Sequence, residues 1–136
     1  MRRLYKSLLS GLVLFSLAVP SVYAATPEYT IEEAPGEYQS MENPQTSAAD
    51  LKRGEYLYQN KCSECHGEEG EGDGDGAVIF NDKAYMTERT DGQLFYIAME
   101  GNGEDAEMEG YGPESDYGMS EKKLWQMVTY IRTLVK

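Results

Sequence analysis

A chain of 136 residues sets 24 Asp and Glu against 12 Lys and Arg, for a net charge of −12. Such a surface repels phosphate backbones and anionic membranes, which disfavours nucleic acid and acidic lipid as partners. With two cysteines and one histidine in all, a zinc site could be completed only by recruiting a carboxylate.

Residues 1–24 begin with Arg2, Arg3 and Lys6, continue through an apolar run from Leu8 to Val19, and end in Val22-Tyr23-Ala24. This is the pattern of a secretory signal peptide, with an apolar part too short to span a bilayer. Cleavage after Ala24 would leave 9 basic against 24 acidic residues, a net charge of −15. Residues 25–47 hold Pro27, Pro35 and Pro44 among several glutamates and show no apolar period; they are expected to form a flexible acidic leader. Residues 48–136 are then one small domain whose apolar core would be marginal by itself.

A first helix is expected to start near Ser47 or Asp50, either of which can cap it, and to run towards Cys62. Gly54 lies inside it, where a glycine costs about 0.5–1 kcal/mol relative to alanine, so another element is expected to approach closely there. The stretch Cys62-Ser63-Glu64-Cys65-His66-Gly67 contains both cysteines and the histidine. Two thiols three positions apart can each add to a vinyl group of one haem, and the next residue can ligate its iron. Residues 62–66 therefore read as a c-type haem attachment site. The rival is a thioredoxin-like Cys-x-x-Cys, which normally follows a strand in a βαβ unit, and no such unit is visible.

The loop Glu68 to Gly76 sets five carboxylates among four glycines. It lacks the full EF-hand series, so a solvated acidic loop is expected, with calcium as the lesser alternative. A middle helix is expected from Thr90 to about Glu100, opened by a capping box from Thr90 to Gln93. A last helix is expected from Ser120 to Val135, with Leu124, Met127, Val128, Ile131, Leu134 and Val135 as its apolar stripe and Met119 packing back on Leu124. Tyr130 is the aromatic expected over Gly54. No useful strand-like alternation occurs, so the fold class is all-α.

These parts, in this order, resemble the class I monohaem cytochrome c family. The resemblance rests on RGEYLYQNKCSECHG, TDGQLFYIAMEG and MSEKKLWQMVTYIRTL, and covers nearly all of residues 48–136. It implies a small cytochrome c fold, with three main helices around one covalently bound haem c attached outside the cytoplasmic membrane. Cys62 and Cys65 would be the attachment residues, and His66 one axial ligand of the iron. With its only histidine so used, the chain leaves methionine, lysine, tyrosine, water or nothing for the sixth position, and a soft thioether suits an electron carrier. Met99 and Met127 lie on apolar helix faces, where packing accounts for them. The family's axial methionine lies between the middle and last helices, which selects Met108, with Met119 and Met86 as alternatives. Two departures stand out. The proline that usually follows the axial methionine is Glu109, and the Gly-Pro step whose carbonyl often holds the proximal histidine is Gly76-Ala77.

The function so implied is a periplasmic carrier, not an enzyme, shuttling single electrons between redox proteins and binding no small-molecule substrate. A haem-bearing subunit of a larger oxidoreductase is the alternative. A peroxidase-like enzyme would need a distal acid-base group, for which no second histidine exists. The acidic surface points to a partner that is basic where it docks, and membrane association is not expected once the signal is removed.

Overall fold

The computed structural model describes residues 34–72, 77–102 and 108–136. Six helices occur among them: α1 (Gly36–Gln39), α2 (Ala48–Lys61), α3 (Ser63–His66), α4 (Lys83–Thr87), α5 (Asp91–Glu100) and α6 (Glu121–Ile131). Among the described residues the sole β feature is an isolated antiparallel bridge between Gly101 and Glu109. The all-α class is as expected, and α2, α5 and α6 are the three main helices.

Each main helix starts where its sequence can satisfy the first backbone N–H groups. The Ser47 side chain accepts from the Asp50 N–H while the Asp50 carboxylate accepts from the Ser47 N–H, and Thr90 and Gln93 repeat this box at α5. Gln126, buried on α6, donates to Asp50 at 2.8 Å. That bond, followed by the one from Ser47, holds the Asp50 carboxyl below its ordinary range. Ser120 occupies the N-cap position of α6, but its side chain accepts no capping bond. The helix ends at Ile131, four residues short of expectation, where the chain tightens into i→i−3 turns that bring Leu134 into the core.

The α2 and α6 helices cross at Gly54. A Cβ there would lie 1.9 Å from the Gln126 carbonyl oxygen and 3.2 Å from Tyr130 Cβ, so only glycine permits this approach. The expected glycine–Tyr130 contact is present, and the backbone of α6 is closer still. Around the crossing, Leu57, Tyr58, Phe95, Met119, Leu124, Trp125, Met127, Val128 and Ile131 form one continuous core. Trp125 and Phe95 stack with centroids 4.1 Å apart and planes within 7°, joining α6 to α5.

Residues 34–47 belong to the stretch read as a leader, yet they are anchored on this core. Tyr38 packs on Phe95 and Tyr96, and Gly92 leaves room for the Tyr38 carbonyl, which a Cβ would meet at 1.7 Å. The Asn43 amide donates to the Trp125 carbonyl and to Thr129 Oγ1, each at 3.0 Å. Their polar composition conceals this attachment because it is made through Tyr38, Asn43 and the Gln45 carbonyl, which accepts from Thr129 Oγ1, without an apolar period. Arg132 ties the end of α6 to the opposite wall. It pairs with Asp91 at 2.6 Å and donates to the carbonyls of Met86 and Arg89.

Candidate haem site

The α2 helix ends at Lys61 and the chain turns at once into α3, so Cys62 is both the C-cap of one helix and the N-cap of the next. A full helical turn over Ser63–His66 gives the three chemical groups their relative placement. Cys65 is exposed, Cys62 is half-buried and His66 is 8% exposed. The cysteines are not bonded to each other. Burial, followed by the neighbouring Cys65, pushes the Cys62 thiol up to about 12. A thiol-exchange pair needs a thiol pushed downward, so the environment disfavours the thioredoxin-like rival. Among the described residues no three or more His, Cys, Asp or Glu converge as metal ligands.

His66 is held on two sides. Its Nδ1 lies 3.0 Å from the Val78 carbonyl oxygen. A carbonyl can only accept, so Nδ1 carries the proton and Nε2 keeps the lone pair that a metal requires. Its ring also stacks on Phe80, with centroids 4.4 Å apart and planes 22° from parallel. A carbonyl close to the Gly76-Ala77 step thus holds the histidine, although the family's proline is missing there. The acceptor is two residues further on, and Gly76 itself lies outside the described residues. Phe80 packs in turn against Tyr58, whose hydroxyl donates to the Gly67 carbonyl at 2.7 Å just after the histidine. Burial raises the Tyr58 hydroxyl far above its ordinary value.

Met108 stands at the base of the segment that follows α5. Its carbonyl accepts from the Asn102 N–H at 3.0 Å, while Tyr111 and Gly112 donate their N–H groups to the carbonyls of Ala98 and Met99 at 3.0 and 2.9 Å. Gly101, at φ +80°, makes room for this return, since a Cβ would lie 2.6 Å from the Met108 carbonyl oxygen. Met108 is half-buried and Glu109 exposed, whereas Met86 and Met119 are in the core. The link from Met108 to the cysteine motif runs through Tyr111, whose hydroxyl donates to the Lys61 carbonyl at 3.1 Å. Burial pushes that hydroxyl up to about 12, with the Cys62 thiol close enough to add to the effect. The acidic loop raised as a calcium alternative has residues 73–76 outside the described part, as are 103–107 of the Met108 segment.

The donor set and its support fit haem c: two unpaired thiols, an imidazole with its tautomer fixed, and an apolar aromatic wall beneath it. Residues 49–131 match the family described as cytochrome c oxidase, cbb3-type, subunit III. The match covers more than half of the chain, which therefore belongs to this family of c-type cytochrome domains. Among solved structures, the chain is similar to cytochrome cL from Hyphomicrobium denitrificans, at 26% identity and a TM-score of 0.54, over 79% of this chain and 67% of that one. Cytochrome cL from the marine methylotrophic bacterium Methylophaga aminisulfidivorans MPT matches at 23% identity and a TM-score of 0.50, over 65% of this chain and 57% of that one. The KustC0563 c-type cytochrome matches at 23% identity and 0.52, over 61% of this chain and 98% of that one. At these identities the last two show the fold alone. Among curated protein sequences none matches. The protein is thus a haem c electron carrier with one covalently bound haem.

Sequence reasoning found the motif and missed its support. Val78 and Phe80 carry no pattern of their own, because the path that brings them to His66 is set by tertiary packing. The α4 helix was legible in principle: Asp82 caps it by accepting from the N–H groups of Ala84 and Tyr85.

Proposed function

We propose that Cys62 and Cys65 attach the haem through thioethers, that His66 Nε2 and the Met108 sulfur are the axial ligands, and that the protein shuttles single electrons in the periplasm. The observation that carries this reading is the Val78 bond to His66 Nδ1, which leaves Nε2 as the ligating nitrogen. Bound there, haem c supplies a one-electron Fe(III)/Fe(II) couple. The Phe80 face keeps water from one side of the imidazole, and the carbonyl raises its basicity. Core packing accounts for Met86 and Met119, and Met108 is not part of that core, which supports Met108 as the sixth ligand. The signal-like residues 1–24 support export, and no helix among the described residues is long and apolar enough to cross a membrane.

A second reading has a specific basis. The matching family is described as an oxidase subunit, so the domain could serve as the haem-bearing part of a larger oxidoreductase. In either role it passes electrons to redox proteins.

One set of variants tests the ligands. The parent should keep its haem through denaturing acid–acetone extraction, and Cys62→Ser with Cys65→Ser should lose it. Met108→Ala should open the sixth position to added imidazole and lower the midpoint potential, because a thioether favours Fe(II). An unchanged low-spin spectrum in that variant moves the ligand to Met119 or Met86. Colourless parent protein whose cysteines form a reversible disulfide returns the site to thiol chemistry.

The partner is proposed to be basic where it docks. Glu64, Glu109, Glu114 and Asp116 lie on the segments that carry the motif and Met108. Steering of this kind requires electron-transfer rates to fall as salt rises, since the Debye length shrinks from about 30 Å at 0.01 M to about 8 Å at 0.15 M. A flat or rising rate would leave solubility as the role of the charge.

A further inference from the structure

Tyr117 is a large ring left 43% exposed, and it is not loose. It stacks on Tyr111 with centroids 4.3 Å apart and planes 26° from parallel. Its hydroxyl donates to Glu109 Oε2 at 3.2 Å, and the Lys61 ammonium lies 5.6 Å from its ring centroid. Tyr111 completes the circuit through its bond to the Lys61 carbonyl. These contacts run from the residue after Met108, through two tyrosines, to the residue before Cys62. They join the residues after Met108 to the end of α2, with Tyr111 packed against the edge of the core and Tyr117 exposed at the surface.

We propose that Glu109, Tyr117 and Tyr111 form a latch that holds Met108 and the residues directly after it against the end of α2, and that this latch sets how often the sixth iron position opens. The proposal rests on Met108 being the ligand. Its chemistry follows from the departure at residue 109. A proline after the methionine would stiffen the backbone through its fixed φ. Glu109 has no such ring but presents a carboxylate, and Tyr117 donates to it, so a side-chain circuit supplies the restraint. Because its outer members are surface groups, breaking one bond should leave the fold intact and raise the open population. The loss of one such hydrogen bond shifts an equilibrium by about threefold to tenfold.

The test is stopped-flow binding of imidazole to the ferric holoprotein, in which loss of the methionine limits the rate at high imidazole. Tyr111→Phe and Tyr117→Phe keep the ring stack and remove one hydroxyl each, and Glu109→Gln weakens the acceptor at an exposed position. Both Phe variants should bind imidazole about threefold to tenfold faster than the parent and weaken the methionine-to-iron charge-transfer band, with Glu109→Gln between them and the parent. Placed on a Met108→Ala background, the same changes should have no effect on the rate, because the position is already open. That readout separates a latch from a general loosening of the haem pocket, which would speed binding on both backgrounds. Parental rates in the Phe variants, with Met108→Ala binding fast, would overturn the latch and leave the ligand assignment standing. A Met108→Ala protein that binds no faster than the parent removes the ligand assignment and the latch with it.

Discussion

The two sides of the haem site are held by different means. On the His66 side, restraint comes from the interior: Phe80 stacks on the ring, Tyr58 backs Phe80 and bonds Gly67, and α2 crosses α6 at backbone contact through Gly54. On the Met108 side, restraint comes from main-chain bonds to the end of α5 and from two tyrosines, Tyr111 half-buried at the edge of the core and Tyr117 exposed. Core packing gives one arrangement and resists change as a unit. A ladder of backbone bonds and exposed contacts can be undone one member at a time. In the ligation proposed above, a carrier gains from both, because the histidine would stay fixed while the softer thioether bond is tuned from outside.

The largest expected effect tests this contrast with the same substitution on each side. Gly54→Ala places a methyl 1.9 Å from the Gln126 carbonyl oxygen, which belongs to a helix backbone and cannot turn aside. The helices must separate, at about 3 kcal/mol, the upper part of the range for overpacking. Gly112→Ala meets Met99 Cγ at 2.7 Å and the Met99 carbonyl oxygen at 2.8 Å. The Met99 side chain can swing away, but its carbonyl belongs to the α5 backbone, so the loop must shift; the smaller overlap, 2.8 Å against 1.9 Å, makes about 2 kcal/mol the expected loss. Denaturant unfolding of the two holoproteins gives both numbers. Equal losses would mean that the Met108 side is as rigidly packed as the helix crossing.

The same contrast decides what could be read in advance. Ser47 and Thr90 announce their helices because capping is a local matter of three residues, and Gly54 announces a crossing because its cost inside a helix needs a reason. The attachment motif is legible for the same reason: its chemistry fits within five residues. Val78 and Phe80 were not, since what they do depends on where the chain after a glycine-rich loop meets His66 again. Asn43 reaches the Trp125 carbonyl across 82 positions of sequence, and Tyr111 reaches Lys61 across 50. No periodicity marks a single polar side chain that caps a distant carbonyl. The departures at Glu109 and Gly76-Ala77 were visible as departures, but the contacts found there, Tyr117 with Glu109 and Val78 with His66, were not.

A smaller effect separates the two sides by pH. Tyr58, in the interior, has its hydroxyl raised from an ordinary 10.0, first by burial and then by the neighbouring Cys62 thiol. Tyr111, on the Met108 side, is raised by the same two causes in the same order, to about 12. In the unfolded chain both ionise near the ordinary value, while in the folded protein both keep their protons. Above that value the unfolded state binds fewer protons than the folded state, so stability falls as pH rises. The loss begins near pH 10 for both. It levels off near pH 12 for Tyr111 and continues beyond for Tyr58. Tyr58→Phe should cost about 1 kcal/mol at neutral pH, because the Gly67 carbonyl loses its donor, and the gap to the parent should narrow steadily from pH 10 upward. Tyr111→Phe should start from a smaller deficit, since its Lys61 bond lies at the surface, and should narrow over the same window. Unfolding by denaturant at intervals between about pH 8 and pH 12 follows both curves. A Tyr58→Phe deficit that stays constant across that range would show that its hydroxyl titrates alike in both states, and that the interior around His66 is open to water.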